Sequence, residues 1–182
     1  RDDAPPSAGR LTPMDAFSAL LDAREARTRR RLALVERCGG AIVSVTMNIP
    51  GPDKTSARYA RAFREFLDAL SVFWKGRDPL ARHAGTFESA AGMEAHLATA
   101  LCGNEAKLLA VEFENSHPWG RCFDVDVLDA DGVPVSRSAL GLPERRCLCC
   151  VRAARLCARE RTHPLSELLA AIDSLLDQPP GS

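Results

Sequence analysis

Glu112-Phe-Glu-Asn-Ser-His-Pro-Trp-Gly-Arg-Cys-Phe-Asp-Val-Asp126 is the stretch on which the reading of this chain turns. Two runs, Lys107–Glu114 and Arg121–Leu128, alternate apolar with charged residues around a loop that contains Asn115, Pro118 and Gly120. That pattern predicts two strands and a connection, most simply an antiparallel pair. Side chains two apart on a strand share a face, so Glu112 and Glu114 point one way, as do Asp124 and Asp126. In half of the possible registers all four carboxylates meet on one face. Like charges directly across a strand pair are unfavourable, and Mg²⁺, which binds one or two carboxylates together with phosphate oxygens, would offset them. Acids alternating with apolar residues also describe the wet face of an edge strand. His117 and Arg121 in the connecting loop tip the balance towards metal-assisted phosphoryl chemistry, with Arg121 placed to grip a phosphate bidentately.

Upstream, Ala41–Ile49 is rich in β-branched and apolar residues and reads as a strand that runs into Pro50-Gly-Pro-Asp-Lys54. Ser56 or Thr55 can cap a helix whose Phe63, Phe66, Leu67, Leu70 and Phe73 form one stripe. A strand, a glycine turn with Lys54 and a helix start can together bind an anion, although the two prolines remove N–H donors and an ordinary capped turn reads the same way. Further upstream, Thr12-Pro-Met-Asp15 opens a helix that Gly39-Gly40 ends. Phe17, Leu20, Leu21, Leu32 and Val35 would face the core. The opposite side carries six arginines against two glutamates between Arg24 and Arg37. Arg24 and Arg27, three apart, lie on one side of it. They can serve a polyphosphate or simply a solvated face. Residues 1–11 read as a disordered leader.

Between these parts, Thr86–Ala90 reads as a strand, Met93–Leu101 as a short helix and Cys102-Gly-Asn104 as a turn. Downstream, Asp129–Gly132 is a turn and Pro134–Arg137 a short edge strand. Beyond Pro143 the spacing Cys147-x2-Cys150-x6-Cys157-x5-His163 provides three thiolates and an imidazole, a complete set for structural zinc. Incidental cysteines on a helical segment are the competing reading, and Cys149 offers an alternative thiol. Seven arginines against two glutamates lie from Arg137 to His163, so this end suits phosphates or an acidic protein. A last amphipathic helix spans Pro164–Leu176.

The chain has 182 residues, enough for a single domain with a sizeable core, here drawn from 12 to 178. Its 24 basic and 24 acidic residues cancel, so no overall field draws it to nucleic acid or to a membrane surface. No run is apolar enough for a membrane span, and nothing at the start resembles a signal peptide. Seven cysteines, four of them within Cys147–Cys157, point to metal or free thiols in a cytoplasmic protein rather than to disulfides.

Taken in order, the motifs resemble a known family. They are Arg24-Glu-x-Arg27, Pro50-Gly-Pro-x-Lys54, Glu-x-Glu-x-Ser-His-Pro-x-Gly-Arg-x-x-Asp-x-Asp-Val-Leu over 112–128, Ser136-Arg137, Leu142-Pro143, Arg145-Arg146-Cys147-x-x-Cys150, Cys157-Ala-Arg and His163. They are similar to the citrate lyase holo-acyl-carrier-protein synthase family, the apo-citrate lyase phosphoribosyl-dephospho-CoA transferases. The resemblance implies a nucleotidyltransferase. Its substrate would be triphosphoribosyl-dephospho-CoA, its acceptor a serine of the citrate lyase acyl carrier protein (the gamma subunit), and its leaving group pyrophosphate. On this reading Asp124, Asp126, Glu112, Glu114, His117 and Arg121 form the catalytic set, with Mg²⁺ on the Asp pair. Arg24, Arg27, Lys54 and Arg121 hold the substrate phosphates, and Cys147, Cys150, Cys157 and His163 hold zinc. Two other classes stay open: the equivalent transferase of malonate decarboxylase, and a non-enzymatic zinc-stabilised or RNA-binding module, for which 5% aromatic residues offer little base stacking. The expected fold is α/β (α+β), a mixed sheet with flanking helices, by analogy nucleotidyltransferase-like, with a small Cys/His-rich helical element.

Overall fold

A computed structural model of the chain describes residues 13–180, so the expected leader and the Thr12 cap lie outside the described residues. Helix α1 (Pro13–Cys38) leads into strand β1 (Ala41–Met47), helix α2 (Ala57–Lys75), and strands β2 (Arg82–Ser89) and β3 (Gly92–Thr99). Helix α3 (Gly103–Ser116), strand β4 (Phe123–Leu128) and helices α4 (Ala154–Glu160) and α5 (Leu165–Leu176) follow. The sheet order is β2-β3-β1-β4. Helices flank the sheet as expected, but all its pairings are antiparallel where a mixed sheet was predicted.

The alternation of the strands creates two unlike faces. On one, Val43, Val45, Ala95, Leu97, Val125 and Val127 pack with Phe63, Phe66, Leu70 and Trp74 of α2 and with Ala106, Ala110 and Phe113 of α3. Phe66 stacks on Phe123 at 3.7 Å between ring centroids. Ser56 caps α2 by accepting the Tyr59 N–H, and the helix buries its apolar stripe here as the spacing predicted. On the other face α1 places Leu34 and Val35 against Ile42, Ala98 and Leu128. The predicted apolar stripe of α1 holds only at its C-terminal end: Val35 is buried, Leu20 half-buried, and Phe17, Leu21 and Leu32 exposed.

Two secondary-structure expectations are overturned. Lys107–Glu114 is not a strand but part of α3. Its Glu-x-Glu alternation concealed the i, i+4 and i+7 spacing of Ala106, Ala110 and Phe113, all buried. The Cys102-Gly-Asn104 turn is the start of that helix, where the Glu105 carboxylate accepts the Cys102 N–H at 3.1 Å. Conversely, Met93–Leu101 is not a helix. Gly92–Thr99 is a central strand, buried on both faces, whose Met, Glu, Ala and Leu residues have helical preferences that sheet packing overrides. The expected edge strand at Pro134–Arg137 is reduced to a single bridge between Leu128 and Pro134.

Helix α3 lies along the free edge of β4 and satisfies its backbone. The Lys107 ammonium donates to Val125 O at 2.9 Å, and the Glu114 carboxylate accepts the Val125 N–H at 2.8 Å. An edge that would otherwise expose unpaired backbone groups is thereby covered. The turn from α3 to β4 returns so tightly that a Cβ on Gly120 would fall 1.9 Å from Glu114 O. Only glycine fits there.

Candidate functional site

The polar half of the α1-facing side is the centre of the site. Strand register aligns Asp126 with Ser44 and His96, and Asp124 with Thr46 and Glu94. Helix α1 opposes this row with Arg24, Arg27 and Arg31, a stripe at i, i+3 and i+7, and with Arg30. Glu94 is fully buried and bridges Arg27 and Arg30, the latter at 2.6 Å. Burial by itself would raise its pKa, but the His96 ring, 3.5 Å away, and hydrogen bonds from Arg27 and Arg30 outweigh that and hold the carboxyl at about 2. His96 continues the network to Ser44, its Nδ1 lying 2.9 Å from the serine hydroxyl. Arg31 has its pKa lowered by burial, against the opposing pull of Asp126, and its buried Nε has no hydrogen-bond partner among the described residues. Lys54 is bonded to the carbonyl of Ile49, and burial, with the charges of Arg24 and Arg27, lowers its pKa. Arg24, Arg27, Lys54 and Arg31 thus form one cationic group on the side of the Asp pair.

Asp124 and Asp126 share a face of β4, as predicted. Asp126 is exposed and has no ion-pair partner among the described residues. Asp124 is paired with Arg145. Its pKa is nonetheless raised, first by burial and then by the charges of Asp126 and Glu114, against the opposing effect of Arg145. Arg145 is fixed in turn by the carbonyls of Gly120 at 3.0 Å and Arg121 at 3.1 Å.

The other members of the expected catalytic set lie elsewhere. Glu112 is exposed on α3 and pairs with Arg77 at 2.7 Å. Glu114 is buried at the β4 edge, bonded to Arg137 and to the Val125 N–H, so its role is to close that edge. A helix cannot place the two glutamates on a common face as a strand would, and the four-carboxylate cluster does not form. His117 lies behind the sheet among Phe66, Phe113 and Trp119. Its Nδ1 accepts the Trp119 N–H at 3.0 Å, and burial lowers its pKa. Arg121 is exposed and lines a different cleft from the α1 arginines.

That cleft has a volume of about 560 Å³ and lies between the β1–α2 connection, the Arg121 turn and the Cys/His element. Arg121, Arg145, Arg146 and Arg161 contribute to it, over an apolar lining of Leu148, Leu165 and Leu168. The candidate metal centre forms one of its walls. Ligand atoms of Cys147, Cys150, Cys157 and His163 all lie within 4.8 Å of one another. Cys150 Sγ is 3.5 Å from Cys157 Sγ and 3.4 Å from His163 Nε2, spacings compatible with four ligands about one ion. Glu167 holds the other ring nitrogen of His163 at 3.1 Å, as a carboxylate behind a metal-binding histidine does. The backbone N–H of Arg152, followed by His163, lowers the Cys150 thiol to about 7, towards the thiolate that a metal requires. All seven cysteines are unpaired, and the group can hold a metal ion.

Sequence reasoning missed Arg31, Arg145 and Glu94. The repeat from Arg24 through Arg27 pointed to Arg31, and the assignment of 93–101 to a helix concealed Glu94. Arg145 carried no local signal of its partner.

A strand-borne carboxylate pair beside cationic groups suits a phosphate-bearing substrate, and comparison with known proteins shows the class to be that of a transferase. The family model described as apo-citrate lyase phosphoribosyl-dephospho-CoA transferase matches residues 16–179. A protein of that name from Citrobacter koseri is 39% identical over 157 residues, 86% of each chain. Its namesake from Escherichia coli O1:K1 is 37% identical over 158 residues, 87% of this chain and 86% of its own. One from Shigella boydii serotype 18 has the same identity and coverage. The chain belongs to this family of transferases, which excludes the non-enzymatic alternative. No helix among the described residues is long and apolar enough to cross a membrane.

Proposed function

We propose that this chain attaches the phosphoribosyl-dephospho-CoA group to a serine of the citrate lyase acyl carrier protein, its gamma subunit. The donor is 2'-(5''-triphosphoribosyl)-3'-dephospho-CoA, and pyrophosphate leaves. The observation that carries this reading is the placement of Asp124 and Asp126 on one face of β4, beside the Arg24, Arg27, Arg31 and Lys54 group. Mg²⁺ fits the Asp pair: two carboxylates on one face, one of them exposed, leave room for phosphate oxygens and water. When bound, it would polarise the attacked phosphorus and offset leaving-group charge.

The chain's own residues perform the rest. Asp124 and Asp126 supply the carboxylate oxygens, and Arg145 orients Asp124. Arg31, with a free buried N–H, and Lys54 hold the departing phosphates, while Glu94 keeps Arg27 and Arg30 extended towards the sheet. The carrier serine replaces pyrophosphate on the phosphorus it attacks. Zinc is the metal suited to the Cys147, Cys150, Cys157 and His163 set, in a closed structural role. The free thiols suit a cytoplasmic setting.

Mass spectrometry of apo-carrier incubated with protein and precursor tests the assignment. The citrate lyase carrier should gain the mass of the prosthetic group and the malonate decarboxylase carrier should not. An unmodified citrate lyase carrier would refute the proposal.

A further inference from the structure

Beside the Asp pair there are two cationic surfaces of different character. The α1 group is compact and lies over the polar row of the sheet. The cleft between the Arg121 turn and the Cys/His element combines cations with an apolar lining of Leu148, Leu165 and Leu168. Arg121, Arg146 and Arg161 all line it, and among the described residues none of the three makes a side-chain hydrogen bond or an ion pair. Three uncompensated guanidinium groups around one cavity repel one another, and an anion relieves that repulsion. The fourth, Arg145, is committed to Asp124 and links the cleft directly to the carboxylates.

The proposed donor also has two unlike arms on either side of the attacked phosphorus. One is pyrophosphate, small and wholly anionic. The other is ribose joined to dephospho-CoA, which carries a diphosphate diester, an adenine and a long, weakly polar pantetheine chain. From this correspondence we infer that the 560 Å³ cleft is the subsite for the dephospho-CoA arm. Arg121, Arg146 and Arg161 hold its diphosphate, and Leu148, Leu165 and Leu168 contact its apolar parts. This inference rests on the transferase reading above. The volume falls within the ~300–1,000 Å³ typical of small-molecule pockets, and a concave site of this kind suits a nucleotide better than the convex surface of a folded carrier.

The subsite can be probed with dephospho-CoA alone, which carries no transferable group, by isothermal titration of the full chain with its metal content measured. Arg161 has a left-handed φ of 50°, so Arg161→Gly removes the guanidinium while easing the backbone. Arg146→Ala removes a second, also exposed, guanidinium. Each variant should bind dephospho-CoA about ten- to a hundredfold more weakly, the loss of one charge-assisted phosphate contact, with an unchanged melting temperature. Arg31→Ala should leave dephospho-CoA affinity within about twofold and weaken inorganic triphosphate instead. Undiminished dephospho-CoA binding in both cleft variants, or none by the wild-type chain, would overturn the subsite. Loss of apo-carrier binding with retained dephospho-CoA binding would overturn it too and make the cleft the docking surface. A chain that transfers the group to its carrier yet fails these titrations keeps its function and loses only the subsite. A chain that binds dephospho-CoA without transfer activity does the reverse.

Discussion

Alternate residues of the same strands build two faces that do different work. Behind the sheet, Val43, Val45, Ala95, Leu97, Val125 and Val127 meet the aromatic rings of α2 and α3. In front, Ile42, Ala98 and Leu128 form a smaller apolar patch, Phe87 of β2 lies under Arg30, and the row continues as Ser44, Thr46, Glu94, His96, Asp124 and Asp126. The rear face gains roughly 1.5–3 kcal/mol for each large side chain it removes from water. The front face desolvates charges, which cost free energy unless they are paired. One side therefore stabilises a sheet on whose other side reactive charges can be held close together.

The contrast should be sharpest when one face is changed at a time. Asp126→Asn and Asp124→Asn each remove a carboxylate from the front face and leave the rear untouched. Carrier modification followed by mass spectrometry should fall by about a thousandfold, with melting temperatures close to wild type. Turnover near normal in both variants would remove the Asp pair from the chemistry. Phe66→Ala should do the opposite. Phe66 is wholly buried and stacked on Phe123, so denaturant titration should report a loss of about 3–5 kcal/mol. The fraction that stays folded should remain active.

A third test addresses the part of the front face that resembles a core. Glu94→Gln leaves Arg27 and Arg30 without their counter-charge. The expected loss is about 3 kcal/mol, the lower end for a broken buried pair, because both arginines retain some contact with water. Glu94 titrates at about 2 when folded, below its ordinary value of 4.5. Its contribution to stability is therefore complete above pH 4.5 and disappears as the pH falls towards 2. Unfolding followed between those pH values should show a steeper acid dependence for wild type than for Glu94→Gln. Parallel curves would mean that the pair contributes nothing.

Reading the sequence succeeded where one period dominated. The α2 stripe, β1 and the Asp124–Asp126 alternation each had a single consistent pattern, and the structure contains all three. It failed where two periods competed. Glu112-Phe-Glu114 alternates by chance on a helix, and the residues of β3 prefer helix but are held as the second interior strand of the sheet. Site geometry was legible only within an element. Spacing along α1 paired Arg24 with Arg27, whereas contacts between elements, Arg145 on Asp124 or Arg137 on Glu114, depend on folds of the chain that leave no local trace. The Cys/His set is the exception: split between a knuckle, α4 and the segment before α5, it could still be read as a group able to hold a metal, because thiols and imidazoles at such spacing stand out by residue type.

That set is the subject of the fourth test. Cys157→Ser, or incubation with a strong chelator, should lower the melting temperature by about 5 °C, roughly 2 kcal/mol in a chain of this size. The dephospho-CoA affinity of the adjoining cleft should weaken with it. A metal-free preparation of full stability would favour incidental cysteines.

The smallest effect should come from His117, which the sequence placed in the catalytic loop and the structure places behind the sheet. Its ring meets Phe66, Phe113 and Trp119, and its single polar contact among the described residues is the Trp119 N–H. Burial lowers its pKa, so the neutral imidazole is the folded form. Its contribution to stability is intact above the ordinary histidine value of about 6.5 and is lost as the pH falls through its lowered folded value. His117→Asn keeps an acceptor near the position of Nδ1 and gives up only aromatic contact. Stability should fall by about 1 kcal/mol. Transfer should stay within about threefold of wild type, with the same dependence on pH between 6 and 8. A general base removed by the same substitution would instead lower the rate by about a hundredfold or more and erase a limb of the pH profile. That outcome would carry catalysis across to the rear face and dissolve the division of labour between the two sides of the sheet.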